Sequence, residues 1–78
     1  MEIFLIHLKT GEKGLIREIL GGQRITDRLN ALGIRQGSRI TKLTEHFWHG
    51  PVTILIGKTK VAIGYGMAKK ILVEKINE

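Results

Sequence analysis

Apolar and polar positions alternate with two different periods along this chain, and each period marks a different kind of element. Leu15-Ile16-Arg17-Glu18-Ile19-Leu20 reads as a first long strand with one partly charged face, ended by Gly21-Gly22. From Gln23 to Leu32 the period changes: Ile25, Leu29 and Leu32 recur at helical spacing, while Arg24, Asp27, Arg28 and Asn30 take the opposite face. Period two returns in Arg39–Thr44 and in Val52-Thr53-Ile54-Leu55-Ile56, where Val52, Ile54 and Ile56 share one side. Gly57-Lys58-Thr59 is a hairpin corner leading to Lys60-Val61-Ala62-Ile63, with Val61 and Ile63 inward. One helical turn is expected around Met67-Ala68, and Ile71–Ile76 closes the chain as a last strand. After the opening segment, Thr10-Gly11 and Gly14 bracket a turn.

The densest information lies between the helix and the second strand. If Gly33 is the left-handed residue just past the helix, Leu32 is its cap, Leu29 lies three positions inside and Ile34 follows the glycine. That arrangement is a Schellman motif with its apolar contact between Leu29 and Ile34. Gly37, four residues on, supplies the positive φ of a type II turn before Ser38-Arg39-Ile40 starts a strand. Leu29, Gly33, Ile34 and Gly37 are therefore expected to be structural. About five short strands on so few residues leave exposed sheet edges, and curling into a partly closed barrel removes most of them. The expected fold is mainly β: a small barrel, one short α-helix between its first two strands and a helical turn before the last, with residues 1–78 as a single domain.

Composition narrows the chemistry. The 78 residues include ten glycines, one proline and no cysteine, so disulfides, thiolate metal sites and cysteine nucleophiles are excluded. Absence of cysteine fits the cytoplasm. The start lacks the pattern of a signal peptide, and no apolar run approaches the roughly 18 residues that span a bilayer, so a membrane role is expected to be peripheral only. The glycines do not form a phosphate-binding loop, because none opens a long helix with a following Lys-Ser or Lys-Thr pair. Ser38 is the only serine and belongs to a turn. No catalytic constellation emerges, and an enzyme is not expected.

The ordered set of landmarks resembles the FeoA family. Leu8-Lys9-Thr10-Gly11-Glu12-Lys13-Gly14 matches its opening leucine, turn and glycine pattern, and Ile16, Ile19 and Gly21-Gly22 match its first strand and glycine pair. Leu29, Leu32-Gly33-Ile34 and Gln36-Gly37-Ser38 match its helix end and turn, with Gln36 where proline is usual. Gly50-Pro51-Val52, Val61-Ala62-Ile63, Met67-Ala68 and Ile71-Leu72-Val73 match its second half. The resemblance covers nearly the whole chain. It implies an SH3-like barrel acting as a cytosolic adaptor or modulator of the FeoB ferrous-iron transporter, with no catalytic residues to carry over. The same module closes the repressors of the diphtheria-toxin-repressor type.

Several side chains remain as candidates for binding. His46 and His49 flank Phe47-Trp48 on a loop, and two imidazoles at that spacing could share a divalent ion, although structural zinc takes four ligands. No cofactor is expected beyond such an adventitious metal. Trp48 is either an anchor for a partner protein or a cap on the open end of the barrel, and Phe47 is placed in the core unless it joins that anchor. The net charge of +6 comes largely from Arg24, Arg28, Arg35 and Arg39 around the helix and turn, and from Lys58, Lys60, Lys69 and Lys70 around the last corners. Arg35 and Arg39, with Phe47 and Trp48, are the candidate partner contacts. A transporter beneath an anionic membrane is the favoured partner, a second copy of the chain is possible, and nucleic acid is the competing ligand. Single-strand binders space several aromatics along strands, whereas two of the four aromatics here are adjacent on a loop. A free-standing relative of the repressors' terminal domain is the third reading.

Overall fold

The computed structural model describes residues 1–44 and 48–77. Six antiparallel strands, β1 (Glu2–Phe4), β2 (Lys13–Ile19), β3 (Arg39–Lys42), β4 (Val52–Ile56), β5 (Thr59–Ile63) and β6 (Ile71–Ile76), form one sheet in the order β1-β6-β2-β3-β4-β5. Helix α1 (Gly22–Ala31) links β2 to β3, and the single turn α2 (Tyr65–Ala68) precedes β6. The five strands expected from periodicity are present. The sixth, β1, pairs Ile3 with Val73 and runs straight into a 3-10 turn over Leu5–His7. That early change of backbone conformation breaks the alternation and hides the strand in an otherwise continuous apolar run.

The sheet curls because its long strands do not stay flat. β2 pairs with β6 in continuous register from Lys13↔Ile76 to Ile16↔Val73, then skips a residue and resumes at Glu18↔Leu72, so Arg17 is a bulge. A bulge sharpens the local right-handed twist and bends the strand. At Gly14 the two strands lie so close that a Cβ would stand 3.1 Å from a Val73 methyl and 3.2 Å from the Glu74 carbonyl oxygen. Among the described residues the core inside the curl is aliphatic apart from one side chain: Ile16 and Val73 come from the long pair, Ile40, Val52, Ile54 and Ile63 from the other strands, and Leu29, Ile34 and Leu5 from the connections. Each such side chain, fully buried, stabilises by roughly 1.5–3 kcal/mol before chain entropy is counted.

The connection from α1 to β3 is held by backbone hydrogen bonds around two glycines. Ile34 N–H donates to the Leu29 carbonyl at 3.0 Å and Gly33 N–H to that of Asn30 at 2.9 Å, which is the paired pattern of a Schellman motif. Gly33 has φ +89° and Gly37 φ +91°. The type II turn closes with Ser38 N–H on the Arg35 carbonyl at 2.9 Å. Ser38 Oγ then accepts the Arg35 N–H and donates to the Gly33 carbonyl, both at 3.2 Å, joining turn and helix end into one unit.

The exception in the core is Lys42, which is completely buried. Its Nζ donates to the carbonyls of Leu8 at 2.6 Å and Ile6 at 3.2 Å, both in the segment that follows β1. Burying an ammonium is costly unless hydrogen bonds replace its hydration, and bonds to a charged donor contribute about 1.5–3 kcal/mol each. The lysine therefore ties the N-terminal segment to the interior.

Two tests follow from this packing. No atom lies within 4 Å of a Cβ built on Gly33, so Gly33→Val is expected to lower the unfolding free energy by about 1–2 kcal/mol through backbone strain alone, as read from urea denaturation. The Glu12 carboxyl is held below the ordinary value of 4.5 by the hydrogen bond from Lys75, at 2.6 Å, and then by the Lys9 backbone N–H at 2.7 Å. A carboxyl whose folded pKa is depressed adds stability above its unfolded pKa and loses it as pH falls through the folded one. The melting temperature should thus begin to drop below about pH 4.5, and Glu12→Gln should flatten that part of a thermal profile.

Candidate functional site

The β3–β4 connection ends in a turn that carries both expected side chains the structure describes there, Trp48 and His49. Trp48 has φ +57° and His49 φ +58°. Asparagine and glycine are the usual occupants of this left-handed region. Each residue bearing a Cβ in this region costs about 1–2 kcal/mol. Part of that cost is offset by the His49 ring, which stacks on Tyr65 of α2 with centroids 4.3 Å apart and planes inclined by 19°. On this turn Trp48 is 99% exposed. Trp48 is therefore no cap on the barrel; the alternative in which it presents its ring outward is the one the geometry favours.

The other expected site residues are distributed unevenly. His46 and Phe47 lie outside the described residues. His49 faces Tyr65 across the stacked pair, and no group of three or more His, Asp or Glu side chains placed to hold a metal occurs among the described residues. Arg35 and Arg39 are both exposed and stand on either side of Gly37. Arg39 lies in β3 opposite Leu15 of β2, whereas Arg35 begins the type II turn and lines a groove together with Arg17 and Glu18 of β2 and Asn30 of α1. Sequence reading missed that groove, because the bulge that shapes it falls at Arg17, where no glycine marks it. It also missed Lys42, for which a signal exists: strict alternation from Ile40 places Lys42 on the inward face.

Six antiparallel strands curled around an aliphatic core, with short helical connections, define a small SH3-like barrel. A family model for the FeoA domain matches residues 4–75, and the chain belongs to that family. It is 36% identical over 70 residues to the "Putative Fe(2+) transport protein A" of Methanocaldococcus jannaschii, covering 90% of this chain and 83% of that protein. A crystal structure described as the iron uptake regulatory protein FeoA superposes with a TM-score of 0.90 at 34% identity, covering 97% of this chain and all of the other. The same fold recurs in a manganese-dependent transcriptional repressor, with a TM-score of 0.87 at 21% identity, where the match covers 96% of this chain and 42% of the repressor. No helix among the described residues is long and apolar enough to cross a membrane.

If the turn is strained as its dihedrals indicate, Trp48→Asn should stabilise the barrel by about 1 kcal/mol, because asparagine occupies the left-handed region more readily. Denaturant unfolding of the purified variant measures this, and an unchanged midpoint would contradict the left-handed assignment.

Proposed function

We propose that this chain is a non-enzymatic accessory of ferrous-iron uptake that docks from the cytoplasm onto the cytosolic part of an FeoB-type transporter, with Trp48 as its anchor. Membership of the FeoA family supports the process. The observation that carries the docking surface is the fully exposed indole on a turn that pays a conformational penalty to hold it there. Strain of this kind concentrates where function demands a geometry, and tryptophan is among the residues that most often dominate an interface. The exposed arginines Arg24, Arg28, Arg35 and Arg39 support electrostatic steering toward an acidic partner surface.

Nucleic acid is the weaker alternative. Of the described aromatics, Phe4 is half-buried and Tyr65 carries the His49 ring, which leaves Trp48 as one exposed ring rather than a row for stacking bases.

Capture of the chain by the immobilised cytosolic part of an FeoB-type transporter tests the proposal. Trp48→Ala is expected to weaken capture by about tenfold or more while leaving the thermal transition in place. Failure of the unaltered chain to bind would overturn the partner, and equal capture of the variant would overturn the anchor.

A further inference from the structure

The groove beside Arg35 is bounded on one side by a strand edge that the fold leaves open. β2 has a partner on its β3 side only as far as Ile16, where the type II turn closes on it: Gly37 N–H donates to the Ile16 carbonyl at 2.7 Å, and Ile16 N–H to that of Ser38 at 2.8 Å. Past the Arg17 bulge the strand continues alone on that side. Ile19 stands opposite Ile71 of β6, and the next bond in the ladder is Leu20 N–H to the Lys70 carbonyl at 2.7 Å. In an antiparallel ladder that spacing makes Ile19 and Ile71 a non-hydrogen-bonded pair, so the N–H and C=O of Ile19 aim away from β6. Neither bonds to another described residue.

Across the groove, which has a volume of about 420 Å³, stand Thr26 and Asn30 of α1 and Arg35 and Gln36 of the turn. Thr26 Oγ1 is occupied on the Gly22 carbonyl at 2.9 Å. The amides of Asn30 and Gln36 and the guanidinium of Arg35 make no hydrogen bond or ion pair with another described residue. One wall thus offers a main-chain donor and acceptor on a single strand residue. The other offers two side-chain amides and a cation.

We infer that this groove binds an extended, acidic segment of another polypeptide, which pairs its backbone with Ile19 as an added strand between β2 and α1. Strand addition at an open edge takes its affinity from main-chain bonds and its selectivity from the flanking side chains. Arg35 makes no ion pair with another described residue, and Arg17, although 3.8 Å from Glu74, also lines the walls against Glu18, which leaves a positive balance there. No aromatic ring among the described residues lines the groove, which disfavours a single-stranded nucleic acid that stacks its bases. The groove lies at the opposite end of the β2–β3 pair from Trp48, because β3 runs from Arg39 beside Leu15 to Lys42 and on toward that loop. It is a second surface, independent of the transporter reading.

A nuclear magnetic resonance titration of the ¹⁵N-labelled chain tests it, using an acetylated and amidated hexapeptide of alternating valine and glutamate, the same peptide with lysine for glutamate, and an oligouridylate. The acidic peptide is expected to shift the Ile19 amide and the Asn30 side-chain amide, and to slow hydrogen exchange at Ile19 by about tenfold at saturation. Arg35→Glu should weaken binding by about tenfold with the rest of the spectrum preserved, and Trp48→Ala should leave it unchanged. Absence of a shift at Ile19, equal binding of the lysine peptide, or a response to the oligouridylate alone would overturn the inference.

Discussion

The two hydrogen bonds that Ile16 exchanges with Gly37 and Ser38 are the constraint on which this small fold turns. They fasten the end of a helix-plus-turn unit to the middle of the longest strand, and they do so at a residue that is itself buried in the core. Once that clasp is made, α1 has to run back along β2, β3 must start beside Leu15, and the sheet is committed to curl. The glycines at 33 and 37 matter because they bring the clasp within reach: both lie at φ near +90°, and together they reverse the chain within a few residues.

The same clasp explains why the two candidate surfaces are separated. Toward Lys13 the β2–β3 pairing is continuous and leads to the β3–β4 turn with its outward indole. Toward Ile19, beyond the clasp, the strand loses a neighbour and a groove opens. One surface is a knob and the other a slot, and each is supported by a different local device: the stacked His49–Tyr65 pair for the first, the Arg17 bulge for the second.

Much of this was legible in the sequence, and the reasons for the remainder are physical. Local rules sufficed where a few adjacent residues determine the backbone, as in the Leu29–Ser38 run, the Gly57-Lys58 corner and the short helix at Met67-Ala68. Placement of Trp48 stayed open between two readings because exposure depends on tertiary packing that no single segment encodes. The strand at Glu2–Phe4 escaped notice because a 3-10 turn interrupts it after three residues. The groove was invisible for a related reason: an unpaired strand edge is defined by which neighbour is missing, and that is a property of topology rather than of composition. His46 and Phe47 lie outside the described residues, and the expectations placed on them stand where the sequence left them.

Lys42 bears on how the molecule comes apart. Its Nζ is buried with the carbonyls of Ile6 and Leu8 as acceptors, so detaching the segment that follows β1 would remove two of the hydrogen bonds that stand in for water around it. The start of the chain is thus fastened twice, along β6 by strand pairing and to β3 by a side chain that reaches it from inside the barrel.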